Sequence, residues 1–402
     1  MKTLLAGKKI LFGISGSIAA YKAAEWVREL AKAEAEVTVV MTDAATRFVS
    51  GLTFASLSGR RVYTGMFEKD AGEDMTHISL AKESDLVVIA PATAQTLAKL
   101  AHGFADDLLS TLVLASNCKV LLFPAMNSNM YCHVATQANI AKLLEYGYEV
   151  IEPGQGKLAC GDEGIGRLID WQIAREKILS ILAVQDLEGQ TIVISAGPTW
   201  ESFDPARLLS NRSSGKMGYA LARVARRRGA RVILVSGPSA IEPPPEVEVI
   251  NVMSGEEMHK GMMAQYKSAD IVVMAAAVSD YRPGKTMKQK VKKSNKSIEF
   301  ELVPNPDILK KLGDKKKKAN RPLLVGFAAE STEHIAEGRR KLKEKNLDLI
   351  VINDIIGKNT GFGTDTNQVS LIDRDYQLDK LPLLSKEECA EMIWDKVVKL
   401  LQ

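Results

Sequence analysis

Short, uninterrupted apolar runs constrain this chain more than any other feature. KKILFGIS, EVTVVMT, DLVVIAPA, KVLLFPA and YEVIEP recur through the first half. QTIVISAGPT, RVILVSGP, EVEVINV, DIVVMAAAVSD, PLLVGFAAE and LDLIVIND recur through the second. A strand with one wet face alternates apolar and polar residues. A strand covered on both faces does not, so a continuous run bounded by turn residues reads as a buried parallel strand. Helical spacing of apolar residues fills the gaps, at Ala19 to Ala33, Thr93 to Leu100, Gly215 to Arg228, Thr332 to Lys345 and Lys386 to Leu401. Parallel strands need crossovers of this kind.

The two halves echo each other: GKKILFGISGS against GQTIVISAGPT, and DLVVIAPATA against DIVVMAAAVSD. The pattern predicts an α/β protein of two doubly wound, Rossmann-like domains, residues 1–189 and 190–402. The boundary is expected near Asp186 to Gln190, after a helix from Trp171 to Val184. At 402 residues the chain is long enough for two such domains. No run of about 18 uncharged apolar residues is present, so no membrane span is expected. The N-terminus reads as a first strand rather than a signal peptide. Four scattered cysteines, Cys118, Cys132, Cys160 and Cys389, form neither a zinc pattern nor a disulfide framework, which points to a reducing cytoplasm.

In doubly wound sheets, ligands gather beyond the carboxyl ends of the strands. Small and polar residues follow the strands here in the same way. GISGS, Gly13 to Ser17, enters a helix, where backbone N–H groups can hold a phosphate. It is not GxGxxG, so a mononucleotide fits better than a dinucleotide; taken alone it could equally be a plain strand-to-helix turn. Asn127 in PAMNSNMY either donates its amide to a carboxylate or caps a helix. His77 follows a turn-like stretch and, taken alone, reads as structural or solvated rather than functional. Cys160 sits in the glycine-rich ACGDEGIGRL, read as a mobile loop in which a thiol is either exposed and reactive or inert.

Taken in order, SGSIAAYK, the His77 segment, APATAQT, PAMNSNMY and ACGDEGIGRL resemble the flavin-dependent cysteine decarboxylases, above all those acting on phosphopantothenoylcysteine. The resemblance implies FMN at the strand ends, held by Gly16, Ser17, Thr42 and Thr93, with its phosphate near Ser15 to Ser17 and Thr93. It implies flavin oxidation of the substrate thiol, loss of CO2 and return of the electrons. His77 would take part in the oxidative decarboxylation, Asn127 would hold the carboxylate, and Cys160 would donate the last proton under a closing loop.

The second half holds SAGPTWESFDPARLLSNRSSGKMGYALA, in which GPT ends a strand and Asn211, Ser213, Ser214 and Gly215 lead into a helix. Lys216 lacks the spacing of a P-loop. The net charge is only +4, yet Lys285 to Lys296 carries six lysines and no acid, and Lys315 to Lys318 is a run of four. Beside AAAVSDY, VPNPDIL and a helix bearing Lys341 and Lys345 on one face, the first run reads as a mobile flap over a nucleotide. The second has no partner motif and reads as a solvated loop.

NRSSGKMG, AAAVSDY, VPNPDIL, GFAAE and KNLDLIVIND are similar to the bacterial phosphopantothenate–cysteine ligases. The resemblance implies CTP with Mg2+, attack of the phosphopantothenate carboxylate on the α-phosphate, and an acyl cytidylate that the cysteine amine opens. Asp280, Lys290, Pro306, Asp307, Ile308, Leu309, Phe327, Lys341 and Lys345 would contact CTP. Asn211 would stabilise the acyl cytidylate, Lys290 would assist its formation, and Arg207 would help to hold the phosphorylated substrate. No metal ligand is named. Trp200 stands where the family often has arginine, which puts a substrate contact there in doubt. The family also implies a homo-oligomer, with dodecamers as its pattern.

Two other readings compete. One is a flavin prenyltransferase-like enzyme fused to a nucleotide-binding domain, which would have no use for Cys160 as proton donor. The other is a nucleic-acid binder using its lysine runs, for which no helix-turn-helix or aromatic–basic signature is present. The expected partners are therefore small molecules, with no nucleic acid and no membrane.

Overall fold

The structure, a computed structural model, describes residues 4–66, 76–158, 161–292, 299–316, 321–330, 334–354 and 363–402. The chain divides into two compact units, Met1–Ala183 and Val184–Gln402.

The first unit carries a six-stranded parallel sheet: β1 (Lys9–Ile14), β2 (Glu36–Met41), β3 (Val62–Tyr63), β4 (Leu86–Ala92), β5 (Lys119–Pro124) and β6 (Glu149–Val150), in the order β3-β2-β1-β4-β5-β6. Every residue of β4 is buried, which is why its sequence shows no alternation. The helix Ala20–Lys32 buries Ala20, Ala23, Trp26, Val27 and Leu30, one stripe at helical spacing. Trp26 meets Phe123 edge-on with centroids 5.0 Å apart and lies 5.9 Å from the ring of Trp171. Burying side chains of this size contributes roughly 2–3 kcal/mol each.

The glycine-rich segment that reads as a loop is an antiparallel hairpin, β7 (Gly154–Lys157) with β8 (Glu163–Arg167). So much glycine hides the strands, because it removes the side chains that a period-2 pattern needs.

The second unit repeats the design. β9 (Thr191–Ala196) is followed by a hairpin of β10 (Trp200–Asp204) and β11 (Arg207–Ser210). Then come β12 (Arg231–Ser236), β13 (Glu248–Asn251) and β14 (Ile271–Met274), and a ribbon of β15 (Tyr281–Pro283) with β16 (Leu302–Pro304). β17 (Leu323–Glu330) and β18 (Leu349–Asp354) complete the parallel part. β19 (Thr366–Asn367) pairs with β22 (Leu384–Ser385), while β20 (Val369–Asp373) and β21 (Leu378–Lys380) add two antiparallel strands. The main sheet runs β13-β12-β9-β14-β17-β18-β20-β21. Its first six strands follow the same chain order as the first sheet. The helix Lys216–Arg227 packs on the last helix, Lys386–Leu401, and the buried Trp394 donates its indole N–H to Leu221 O at 3.0 Å.

The Lys315–Lys318 run corrects an expectation. Lys315 and Lys316 belong to the helix Ile308–Lys316, and Lys316 is buried against the equally buried Asp348. Asp348 Oδ2 also accepts the Leu324 N–H at 2.7 Å. Lys316 is therefore an internal ion-pair partner and not part of a solvated loop. Lys317 and Lys318 lie outside the described residues.

Candidate functional sites at the two switch points

In each sheet the strand order reverses between the first strand and its fourth-strand neighbour, β1 with β4 and β9 with β14. Connections leave these two strands toward opposite faces, so a crevice opens beyond their carboxyl ends. Both units have clefts there.

In the first unit a cleft of about 540 Å³ adjoins one of about 610 Å³. The larger is lined by Ser15, Gly16, Ser17, Thr42 and Thr93, so all four flavin candidates meet in one place. Gly16 is required for that meeting: a Cβ there would lie 2.4 Å from the Cβ of Ala44, so the loops after β1 and β2 could not touch. Ser15 is committed elsewhere. Its buried hydroxyl donates to Pro91 O at 2.7 Å and accepts the Thr93 N–H at 2.9 Å, fastening the β1 loop to the β4 loop. Thr93 and Thr42 each cap a helix through their hydroxyls, at Thr96 N and Ala45 N. The N-terminus of the helix Ala94–His102 thus opens on this cleft, which suits an anion.

The smaller cleft shares Ser17, Ala125 and Met126 with the larger and adds Asn127. Asn127 is a helix cap, one of its two readings. Its Oδ1 caps the helix Ser128–Cys132 by accepting the Asn129 N–H at 2.8 Å, while Nδ2 sits 3.4 Å from Asp162 Oδ2. Fixing the carbonyl end orients the amide donor. The β7–β8 hairpin is stitched beside it: Met126 N donates to Gly166 O at 3.0 Å and Ser128 Oγ to Ile165 O at 2.7 Å. A Cβ on Gly166 would sit 2.1 Å from Met126 O, at a φ of +139°. Cys160, between β7 and β8 in the sequence, lies outside the described residues. His77 falls in the helix Thr76–Glu83, and its side chain is likewise outside them. Burial pushes the Cys389 thiol up to about 12 and raises that of Cys118, whereas Cys132 is exposed.

In the second unit, Asn211, Asp280, Pro306, Asp307, Ile308, Leu309, Phe327, Lys341 and Lys345 line one cleft of about 480 Å³. Local bonds explain how chain segments so far apart converge. Thr199 Oγ1 accepts the Ser279 N–H at 3.0 Å, Asn211 Nδ2 donates to Ala277 O at 3.1 Å, and Asn305 Nδ2 donates to Ser279 O at 2.9 Å. Lys345 reaches Asp307 Oδ2 at 2.9 Å, and Lys341 lies 3.8 Å from Glu337 Oε1. A smaller pocket of about 110 Å³ shares Phe327 and Ala328 with the cleft and is lined by Ser213, Ser214, Lys216 and Lys386, at the N-terminus of the helix Lys216–Arg227.

Lys290 and Arg207 do not line the cleft; Arg207 meets the segment that carries Lys290. Residues 285–292 are laced to the β10–β11 hairpin through Met287 N to Phe203 O at 2.8 Å, Thr286 Oγ1 to Ser202 O at 3.1 Å and Val291 N to Asp204 Oδ2 at 3.1 Å. The Arg207 guanidinium donates to Val291 O. This part of the lysine run is therefore held in place and is not a free flap. Trp200, the departure noted in the sequence, opens β10 and is partly exposed.

Asp204 was missed by sequence reasoning. It is buried, and its carboxylate accepts N–H groups from Ala206, Arg207 and Val291. These bonds, that from Ala206 first, hold its carboxyl below the usual carboxylate range. The only local signal was an Asp before Pro-Ala in a turn.

Comparison with known proteins bears on both units. The family model described as Flavoprotein matches residues 1–182, and that described as DNA/pantothenate metabolism flavoprotein C-terminal domain matches residues 187–401. The chain is 45% identical over 399 residues to the "Coenzyme A biosynthesis bifunctional protein CoaBC" of Vibrio parahaemolyticus, covering 99% of each. It is 44% identical over 401 residues to the protein of that name from Bacillus subtilis (99% of this chain, 98% of the other). It is 43% identical over 399 residues to that from Escherichia coli K12 (98% and 97%).

Proposed function

The chain belongs to the family of bifunctional coenzyme A biosynthesis enzymes, and from that premise we propose how its two units divide a decarboxylase and a ligase between them. Residues 1–189 are the FMN-dependent decarboxylase of 4′-phosphopantothenoylcysteine. Residues 190–402 are the ligase that joins 4′-phosphopantothenate to L-cysteine with CTP through an acyl cytidylate.

The observation that carries this reading is convergence. Residues chosen from separate stretches of sequence line one cleft at each switch point. In the decarboxylase, Gly16, Ser17, Thr42 and Thr93 hold FMN, whose chemistry when bound is to take up and return the substrate's electron pair. The closely packed Gly16 loop and the helix end after Thr93 fit a flavin phosphate. Asn127 holds the substrate carboxylate with Nδ2. His77 moves a proton in the oxidative decarboxylation, and Cys160 returns one in the final step.

In the ligase, Asp280, Pro306 to Leu309, Phe327, Lys341 and Lys345 hold CTP. Lys341 and Lys345 supply positive charge to a triphosphate. Asn211 faces the acyl cytidylate. Lys290, on the segment fastened to Asp204, assists formation of the acyl cytidylate, and Arg207 helps to hold the phosphorylated substrate. Mg2+ belongs to the triphosphate rather than to a protein cage, as is usual for this ion. The Ser213–Ser214 helix end with Lys216 and Lys386 suits the phosphorylated acid.

Among the described residues no helix is long and apolar enough to cross a membrane. A cytoplasmic location is part of this reading. So is a homo-oligomer, up to a dodecamer, supported by the exposed Ile18, Tyr21, Phe48 and Leu52.

The test is a coupled assay of the full chain with phosphopantothenate, cysteine and either CTP or ATP. Formation of phosphopantetheine with CMP and CO2, from a yellow protein, is expected. A colourless protein that makes no CMP overturns both halves.

A further inference from the structure

Charge is sorted unevenly between the two adjoining clefts of the first unit. The larger one, assigned to the flavin, has Lys99 balanced by Asp43, Asp106 and Asp107 in its wall. Lys99 Nζ lies 2.9 Å from Asp106 and 2.7 Å from Asp107. The smaller one is lined by Lys22, Lys157 and Arg167 and, among the described residues, by no carboxylate. A wall of three cations favours an anion.

The cations come from elements that the fold brings together for other reasons. Lys22 lies on the first helix, Ala20–Lys32, one turn after the GISGS loop. Lys157 and Arg167 lie on the two strands of the hairpin that covers Asn127. Lys22 and Arg167 share a single carboxylate, that of Asp170, whose Oδ1 is 3.9 Å from Lys22 Nζ and 3.2 Å from Arg167 Nη2. Asp170 and Glu25 are not among the described residues lining the cleft, whose wall there carries the cations alone. The effect registers on Lys22: burial first, and then the nearby Arg167, hold its ammonium below the usual lysine range, against the opposing pull of Asp170 and Glu25.

We propose that Lys22 and Arg167, assisted by Lys157, form a phosphoryl subsite that holds the phosphate end of the decarboxylase substrate. This rests on the decarboxylase reading given above and extends it to the end of the substrate farthest from the chemistry. The cleft that holds Asn127 then holds both charged ends of one molecule: the carboxylate at the Asn127 amide and the phosphate at the Lys22–Arg167 pair. Its volume of about 540 Å³ is within the range of sites for ligands of that size. The hairpin beside Asn127 thereby also carries a cation that draws in the substrate.

The experiment uses the full-length protein with its flavin. Decarboxylation of 4′-phosphopantothenoylcysteine is compared with that of phosphate-free pantothenoylcysteine, in the parent, Lys22→Gln, Lys22→Arg and Arg167→Gln. Charge-assisted bonds of this kind predict that either Gln variant loses about 10- to 100-fold in kcat/KM for the phosphorylated substrate. The loss should fall mainly on KM, with the phosphate-free substrate affected by less than about 3-fold and flavin content unchanged. Lys22→Arg should recover most of the loss. Equal losses on both substrates would overturn the subsite, and so would release of the flavin, which would assign the cations to the cofactor's own phosphate. A parent protein that turns over both substrates equally well leaves the decarboxylase standing and removes the subsite; one that turns over neither removes both.

Discussion

The buried carboxylate of Asp204 accepts the backbone N–H of Val291 at 3.1 Å, across 87 residues of sequence. The bond ties the lysine-rich segment to the hairpin that carries Arg207. Asp204→Asn should free that segment. Charge-assisted bonds of this kind predict a loss of about 10- to 100-fold in ligase kcat. CTP binding should change little, because the cleft residues do not touch Asp204, and decarboxylation should be unaffected. Ligase kinetics with varied CTP would reveal the split; a pure KM effect would count against a positioning role.

The same carboxylate sets a pH dependence. Its folded pKa is depressed, chiefly by the backbone N–H of Ala206. A depressed acid contributes stability that is complete above its unfolded value of about 4 and is lost as pH falls through the folded value. Urea midpoints should therefore be flat with respect to Asp204 from pH 8 to 5 and fall below about pH 4. Asp204→Asn should show a shallower fall. Parallel curves for the two proteins would show that the carboxylate is not coupled to folding.

Asn127 separates a cap from a ligand within one side chain. Its Oδ1 caps a helix and its Nδ2 is the donor proposed for the substrate. Asn127→Asp keeps the capping oxygen and replaces the donor with negative charge. The new carboxylate faces Asp162 Oδ2, 3.4 Å from the replaced Nδ2, so the variant should fold with at most a small drop in thermal midpoint and lose roughly 100-fold or more in decarboxylation. Retained turnover would reduce Asn127 to a cap.

Gly166→Ala probes the hairpin without touching Cys160. The added Cβ would fall 2.1 Å from Met126 O, and the φ of +139° is unfavourable for alanine. The hairpin must lift away from Asn127, so decarboxylation should drop about 100-fold while ligase flux in the same chain stays within about 2-fold. Loss of both activities would indicate a folding defect instead.

The sequence made the buried parallel strands plain, because a strand covered on both faces cannot hide its apolar run; β4 is the clearest case. It also supplied both switch points, since small polar residues follow β1, β4, β9 and β14. Three things stayed hidden for physical reasons. The β7–β8 hairpin carries too much glycine to show alternation. Asp204 finds one of its donors at Val291, and no local window spans that distance. Lys22 and Arg167 lie far apart in the chain and share Asp170 only once folded.

Lys316 illustrates the same limit and supplies the last prediction. In a run of four lysines nothing local marks one as internal, because its partner Asp348 lies 32 residues away. Both side chains are 8% exposed, and Asp348 also accepts the Leu324 N–H at the start of β17. Lys316→Met removes one charge and leaves the other buried, with Arg374 Nη1 3.8 Å from the second oxygen of Asp348 as the remaining cation. Breaking a buried pair from one side costs about 3–5 kcal/mol. Lys315→Met, one residue away, should cost less than about 0.5 kcal/mol, as expected for a surface change. Urea denaturation of the two variants should therefore show widely separated midpoints in the transition of the second unit. Coincident midpoints would mean that Lys316 is solvated after all, as the charge run alone suggests.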